Sequence, residues 1–145
     1  MPRPVSAATL VLVLLAVLPG GAAPASAGGG VGTSWERRLH ALVNGARSKE
    51  GLAGLDLRGG LTRKAHRHSR RMAAQGRLFH QSSSAFPPGT WGENVAQARG
   101  VRRAHRMLMK SPSHRENILC GCFDRIGLGV VRRGGWYWVT EMFVG

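Results

Sequence analysis

Acidic residues are scarce in this chain. Seven Asp and Glu stand against 21 Lys and Arg, for a formal net charge of +14. An excess of one sign on this scale bears on association rather than on fold. It points to anionic partners, an anionic cell-wall polymer or a lipid surface, with nucleic acid not expected as a specific partner. The bland reading is compositional, because richness in Ala, Gly and Arg is also what a high-GC bacterial genome produces. Apolar runs are equally limited. After the first 27 residues no segment is apolar enough to span a bilayer. Cysteine is nearly missing too, with only Cys120 and Cys122, separated by Gly121. Several catalytic signatures are absent: there is no HExxH, no phosphate-binding glycine loop and no serine in a glycine-flanked elbow, since Ser82, Ser83 and Ser84 lie in a polar loop. No internal repeat is present.

The N-terminus reads as an export signal. Arg3 supplies a positive start, Thr9 to Leu18 is a short apolar run, and Ala25-Ser26-Ala27 is a small-x-small cleavage pattern. Cleavage is expected after Ala27, giving a secreted, extracellular protein; a retained anchor is the competing reading. Residues 28–33 form a glycine-rich spacer expected to be flexible. Residues 34–145 are long enough for one domain with a single core. In an oxidising compartment Cys120 and Cys122 can pair with each other, although the Cys-Gly-Cys ring is tight. An intermolecular disulfide, a free thiol pair and a metal-binding pair stay open as alternatives. The spacing is shorter than in the usual zinc motifs.

Hydrophobic spacing predicts a first helix from Ser34, as N-cap, to about Lys49, with Trp35, Leu39, Leu42, Val43 and Ala46 inward. After Gly51 an extended connector runs through Leu57. A second helix is expected over about Leu61 to Gln75, with Leu61, Ala65, Ser69, Met72 and Ala73 inside and Arg63, Lys64, Arg67, Arg70 and Arg71 outside. His66 and His68 are expected to be solvated on that basic helix. A polar loop with Pro87-Pro88-Gly89 follows. A third helix is expected from about Asn94 to Met109, weakened or split by Gly100, capped by Glu93 and Asn94 and with Val101, Ala104, Leu108 and Met109 inside. His114 to Leu119 forms a short helical turn. His40 and His105 are expected to be surface or satisfied core histidines. Ile126, Leu128 and Val130 alternate, as do Trp136, Trp138, Thr140 and Met142, with Gly134-Gly135 as a hairpin turn between them. Trp136 and Trp138 are expected in the core with Tyr137 on the opposite face. Helices followed by a hairpin imply an α+β domain, helices packed on a small antiparallel sheet.

Several short pieces, in order, carry a resemblance. They are Leu42-Val43-Asn44, the connector Gly51-Leu52-Ala53-Gly54-Leu55, Phe79-His80, Trp91-Gly92-Glu93-Asn94-Val95-Ala96, Ser111-Pro112-Ser113-His114-Arg115-Glu116-Asn117-Ile118-Leu119, and Ile126-Gly127-Leu128-Gly129-Val130 with Tyr137-Trp138-Val139-Thr140-Glu141-Met142-Phe143. Together they resemble the CAP superfamily of cysteine-rich secretory, antigen-5 and pathogenesis-related proteins, and most of all its small bacterial secreted SCP-like members. The resemblance covers most of residues 34–145 and implies a CAP-type α-β-α sandwich. It also implies a cavity lined by His80, Glu93 and His114. There His80 and His114 would ligate zinc or another divalent metal, and Glu93 would orient a histidine or form a polar wall.

The chain departs from the family pattern. The stretch between His80 and Glu93 is short. The segment Arg106-Met107-Leu108-Met109-Lys110 lacks the acid that bacterial relatives often carry there, so the fourth cavity member has no evident counterpart, and Glu116 is no replacement on sequence proximity alone. Weak metal binding at best is therefore expected. The functional expectation is extracellular binding of a ligand in the His/Glu-lined cavity, with a basic surface for anionic polymers or membranes. A metal-assisted, protease-like hydrolase with Glu93 as the only candidate base is one alternative. A cationic wall- or membrane-active protein is the other. The structural reading of the same residues is a polar network that holds the fold together.

Overall fold

The computed structural model describes residues 31–145. The expected leader 1–27 and residues 28–30 of the spacer lie outside the described residues. The elements are α1 (Ser34–Lys49), β1 (Asp56–Leu57), α2 (Gly59–Gln75), a single 3-10 turn (Ser83–Ala85), β2 (Trp91–Ala98), α3 (Val101–Lys110), α4 (Pro112–Leu119), β3 (Arg125–Arg133) and β4 (Trp136–Val144).

The strands form one sheet in the order β1-β3-β4-β2. β3, β4 and β2 are antiparallel, and the two-residue β1 pairs parallel with β3. Gly134 and Gly135 both hold positive φ, 57° and 75°, as a two-residue hairpin turn of this hand requires. Because strand side chains alternate, the sheet offers two faces, and both are buried. On one face Val139 and Phe143 meet Leu39, Val43, Ala104, Leu108 and Ile118, from α1, α3 and α4. On the other, Trp138 and Met142 meet Met72 and Ala65 of α2. The result is an α-β-α sandwich, the architecture expected from the sequence.

α2 lies unusually close to β3. A Cβ on Gly127 would strike the backbone of Leu61, and one on Gly129 would strike the backbone of Ala65 and His66. The small inward side chains of α2 permit this approach and bond across it. Ser69 Oγ donates to the Gly129 carbonyl at 2.9 Å and lies 2.8 Å from Thr140 Oγ1.

Four local expectations need correction. The segment from Asn94 to Ala98 is strand, not helix, and α3 begins only at Val101. Glu93 and Val95 face α2, while Asn94, Ala96 and Ala98 face the other layer. Alanines at two of those positions, Ala96 and Ala98, hid the period of two, and pairing with β4 outweighed their helix propensity. The cap of α1 is Thr33, which forms a reciprocal capping box with Glu36. Trp35 is exposed, packing edge-on against the half-buried Tyr137, and Glu36 and Arg47 are buried in its stead. His68 is fully buried, and His66 bonds Glu36 Oε1 at 2.7 Å, so neither is a solvated member of the basic face.

The buried ions have backbone partners, which hydropathy does not reveal. Arg47 donates to the carbonyls of Ala53, Ile118, Cys120 and Phe123 at 2.8, 2.9, 2.8 and 3.4 Å. Glu36 accepts from Thr33 N and from Val130 N, tying α1 to β3. Cys120 and Cys122 are joined to each other, immediately after α4.

The contact at β3 predicts that Gly129→Ala forces α2 off the sheet, at a cost of about 1–3 kcal/mol or more from overpacking. Chemical denaturation of wild type and variant measures it, with the exposed Gly60→Ala, whose Cβ meets no neighbour, as the near-neutral control.

Candidate functional site

β2 is an edge strand, so its first residues are reached from both helical layers. The sequence Gly92-Glu93-Asn94 uses this placement residue by residue. Gly92 leaves room for Asn117 of α4, whose Oδ1 would sit 2.8 Å from a Cβ there. Glu93 turns to the α2 side and Asn94 to the α4 side.

On the α2 side, Glu93 Oε1 accepts from His80 Nδ1 at 2.8 Å and from Gln81 N at 2.9 Å, and Oε2 accepts from Gln81 Nε2 at 2.7 Å. The Glu93 side chain is only 3% exposed, whereas that of His80 is 59% exposed. A buried carboxylate therefore fixes an exposed imidazole by its Nδ1 and leaves Nε2 toward solvent. His68 supports the same segment from below. Its Nε2 donates to the Phe79 carbonyl at 2.7 Å, its ring meets Phe79 edge-on, and Arg71 Nη2 approaches its Nδ1 at 3.1 Å. Burial holds the His68 pKa below the ordinary histidine value; Arg71 and His80 act the same way, while the Phe79 carbonyl and Glu93 oppose them.

On the α4 side, Asn94 Nδ2 donates to the His114 carbonyl at 3.0 Å and to Glu141 Oε2 at 2.9 Å. Asn117 Nδ2 donates to Asn94 Oδ1 at 2.9 Å and to the Glu93 carbonyl at 3.4 Å. The His114 ring is half-buried, with Nδ1 bonded to Ser111 Oγ at 2.7 Å, which again leaves Nε2 free. Burial lowers the His114 pKa, and His80 is near enough to lower it further. The three expected residues thus lie around one strand end. His80 and Glu93 are in direct contact, and His114 lies within electrostatic reach of His80.

The donor set fits a divalent ion in part. Two imidazoles, each oriented through Nδ1, present Nε2 as ligand atoms, while Glu93, buried and accepting three hydrogen bonds from His80 and Gln81, is committed to orienting that segment. Among the described residues no group of three His, Cys, Asp or Glu side chains is arranged to hold a metal. An ion held by two nitrogens would keep several positions for water or for another ligand.

Sequence reasoning missed His68, Gln81, Asn94, Asn117 and Glu141 as members of this network. His68 was hidden because its burial comes from the path of residues 76–82, and Glu141 because its neighbour is 47 residues away. Glu93 and Asn94 do not cap a helix. His40 is satisfied by the Leu55 carbonyl at 2.7 Å, whereas His105 is buried with Nδ1 unpartnered. Trp138 is core, and the half-buried Trp136 lies under the Arg99 guanidinium at 3.9 Å.

Glu141 is the second acid of this network, bonded through Asn94. It is fully buried, its Oε1 has no partner, and burial pushes its pKa from the ordinary 4.5 up to about 7, against the opposing bond from Asn94. The folded state therefore holds this proton more tightly than the unfolded chain. Its stabilising effect is greatest at low pH and is lost as pH rises from the unfolded value through about 7. Glu141→Gln, which mimics the protonated form, should gain stability relative to wild type across that window, by on the order of 2–3 kcal/mol at pH 8. At pH 4 the two proteins should match. Denaturation at both pH values checks this, and a difference independent of pH contradicts it.

Comparison with known proteins gives a consistent answer. A family model described as "CAP: Cysteine-rich secretory protein family" matches residues 40–143. The uncharacterized protein YkwD of Bacillus subtilis (strain 168) is 30% identical over 125 residues, covering 78% of this chain and 48% of its own length. The chain thus spans about half the length of that relative. Among solved structures, an extracellular protein containing a SCP domain from Bacillus anthracis str. Ames superposes with a TM-score of 0.67. It is 23% identical, over 76% of this chain and 40% of the other. NaASP2, crystallised with Zn2+, superposes with a TM-score of 0.61 at 11% identity, over 77% and 80% of the two chains. At these identities the structural likenesses speak to the fold.

Proposed function

The chain belongs to the cysteine-rich secretory protein (CAP) family, and from that premise we propose that it is an extracellular binding protein. Its site takes a metal-coordinated or polar ligand at His80 and His114, and its basic surface engages an anionic polymer. The observation that carries the first part is the pairing of each imidazole Nδ1 with a fixed partner, Glu93 or Ser111, so that both Nε2 atoms stay available. Zinc in a family fold, in NaASP2, supports a divalent ion as one occupant. The export pattern at residues 1–27 and the extracellular description of the Bacillus anthracis neighbour support the location. No helix among the described residues is long and apolar enough to cross a membrane.

A bound ion would supply a Lewis-acidic centre with open positions. The residues of this chain do the orienting. Glu93 holds the His80 ring, Ser111 holds the His114 ring, and Asn94 with Asn117 holds α4 against β2. The hydrolase alternative needs a base facing the site. Glu93 is poorly placed for that role, because its side chain is buried and accepts three hydrogen bonds from His80 and Gln81. Binding without turnover is therefore the reading the geometry favours.

Zinc titration by calorimetry tests it. His80→Ala and His114→Ala should each lower affinity by at least about tenfold, and Glu93→Gln by about tenfold through loss of orientation. The exposed Glu116→Gln, on the same helix as His114, should have no effect. Affinity should fall as pH drops through the histidine range, because a protonated imidazole cannot ligate. Equal zinc binding by wild type and both histidine variants would remove the metal from the account.

A further inference from the structure

Two concavities flank α2 without the histidine pair in their walls. A groove of about 860 Å³ runs between α2, the Gln81–Ala85 segment and the end of the β3–β4 hairpin. A second, of about 560 Å³, continues along the first turns of α2 and shares Lys64 and Arg67 with it. Neither is lined by His80, Glu93 or His114, and neither is lined by any acidic residue.

Five cationic side chains converge on the first groove, Lys64, Arg67, Arg70, Arg71 and Arg133; Arg132, also at its rim, turns to the other face of the sheet, its guanidinium over the Tyr137 ring at 5.9 Å. All are exposed, and among the described residues none takes part in a salt bridge. Three are held in place by groups that leave their charge uncompensated. Lys64 donates to the Ala85 carbonyl, Arg133 to the Ala73 carbonyl, and Arg71 contacts the neutral side of His68. Like charges this close repel one another in the free protein, and a polyanion would relieve that repulsion. Positioned guanidinium forks match phosphate oxygens in pairs. On α2, cations recur three and four residues apart, about 5.4 Å per turn, so charge is offered as a row rather than as a point.

The lining also selects among polyanions. Between the cations the groove presents Ala73, Ala74, Ala85 and Val131 and no aromatic ring, so nothing there stacks a base. None of the exposed large apolar side chains, Val31, Trp35, Leu78, Trp91 and Met107, lines it, so it offers no anchor to a bilayer. Small apolar walls between guanidinium groups suit a backbone of alternating carbon units and phosphates. We propose that this groove binds a linear phosphodiester polymer of the poly(glycerol phosphate) type, with the Arg67, Arg70 and Arg133 guanidinium groups on successive phosphates. The proposal rests on the reading that the basic surface engages an anionic polymer, and it makes no use of the histidine pair.

Fluorescence anisotropy of a labelled poly(glycerol phosphate) oligomer with the whole protein is the test, run over a series of salt concentrations. The triple variant Arg67→Gln/Arg70→Gln/Arg133→Gln should bind at least about tenfold more weakly, and its slope of log affinity against log salt should be shallower by about 2. A matched triple variant on the exposed face of α3, Arg102→Gln/Arg103→Gln/Arg106→Gln, removes the same charge and should lose less than about threefold. Circular dichroism confirms that both remain folded. Equal losses in the two variants would overturn the groove and leave a diffuse basic surface. No binding of the oligomer by wild type would overturn the anionic-polymer reading itself. Tighter groove-dependent binding of single-stranded DNA of equal charge, or of phosphatidylglycerol vesicles, would replace the proposed occupant.

Discussion

The buried guanidinium of Arg47 is the constraint on which much of the fold converges. It has no carboxylate partner. Its four hydrogen bonds all go to carbonyls, at Ala53 in the connector, Ile118 and Cys120 at the end of α4, and Phe123 just before β3. Carbonyls at the C-terminus of a helix carry partial negative charge, so α4 ends on a cation placed to meet it. Removing that cation from water is costly, and burial lowers its pKa accordingly; several charge-assisted bonds offset the cost. One side chain of α1 thereby sets where α4 stops, how the Cys120–Cys122 turn is placed and where β3 enters the sheet. Asn94 holds the other end of α4 through the His114 carbonyl. His114 is thus positioned by two polar clamps rather than by apolar packing, and Ile118 is the one fully buried side chain of its helix.

The same logic governs the edge of the sheet. A strand at an edge leaves unpaired backbone groups, which proteins cover or protect. Here Asn117 covers the Glu93 carbonyl, and the Glu93 side chain draws in Gln81 and His80 from the opposite layer. The polar residues that close the edge are also the ones that orient the two imidazoles. Structural and functional readings of the cluster therefore describe one arrangement. The exposed Nε2 atoms are the part that stability alone does not require.

Much of the architecture was legible in the sequence because helical periods and the Gly134-Gly135 turn are local signals. α2, β3 and β4 came through nearly intact for that reason. β2 did not, because Ala96 and Ala98 are small enough to sit in either structure, and the partner that decides, β4, lies some 45 positions away. The family motifs identified His80, Glu93 and His114 but not what holds them. Gln81, Asn117 and His68 act through bonds to backbone or to carboxylate oxygens, and hydropathy assigns a polar residue to the surface whenever its partner is distant. Arg47 and Glu36 were missed on the same grounds. The basic groove was half visible. The outer face of α2 was apparent from its spacing, but the arrival of Arg133 from the hairpin required the fold.

Two oriented imidazoles, His80 and His114, and no other histidine among the described residues, offer unbonded Nε2 atoms at one strand end. Long-range proton–nitrogen NMR spectra of the histidine-labelled protein at neutral pH test it most directly. The account predicts that His80 carries its proton on Nδ1, and that added zinc shifts the Nε2 resonances of His80 and His114 while those of His40, His66, His68 and His105 stay in place. A His80 ring protonated on Nε2 instead, or zinc shifts confined to other histidines, would contradict it.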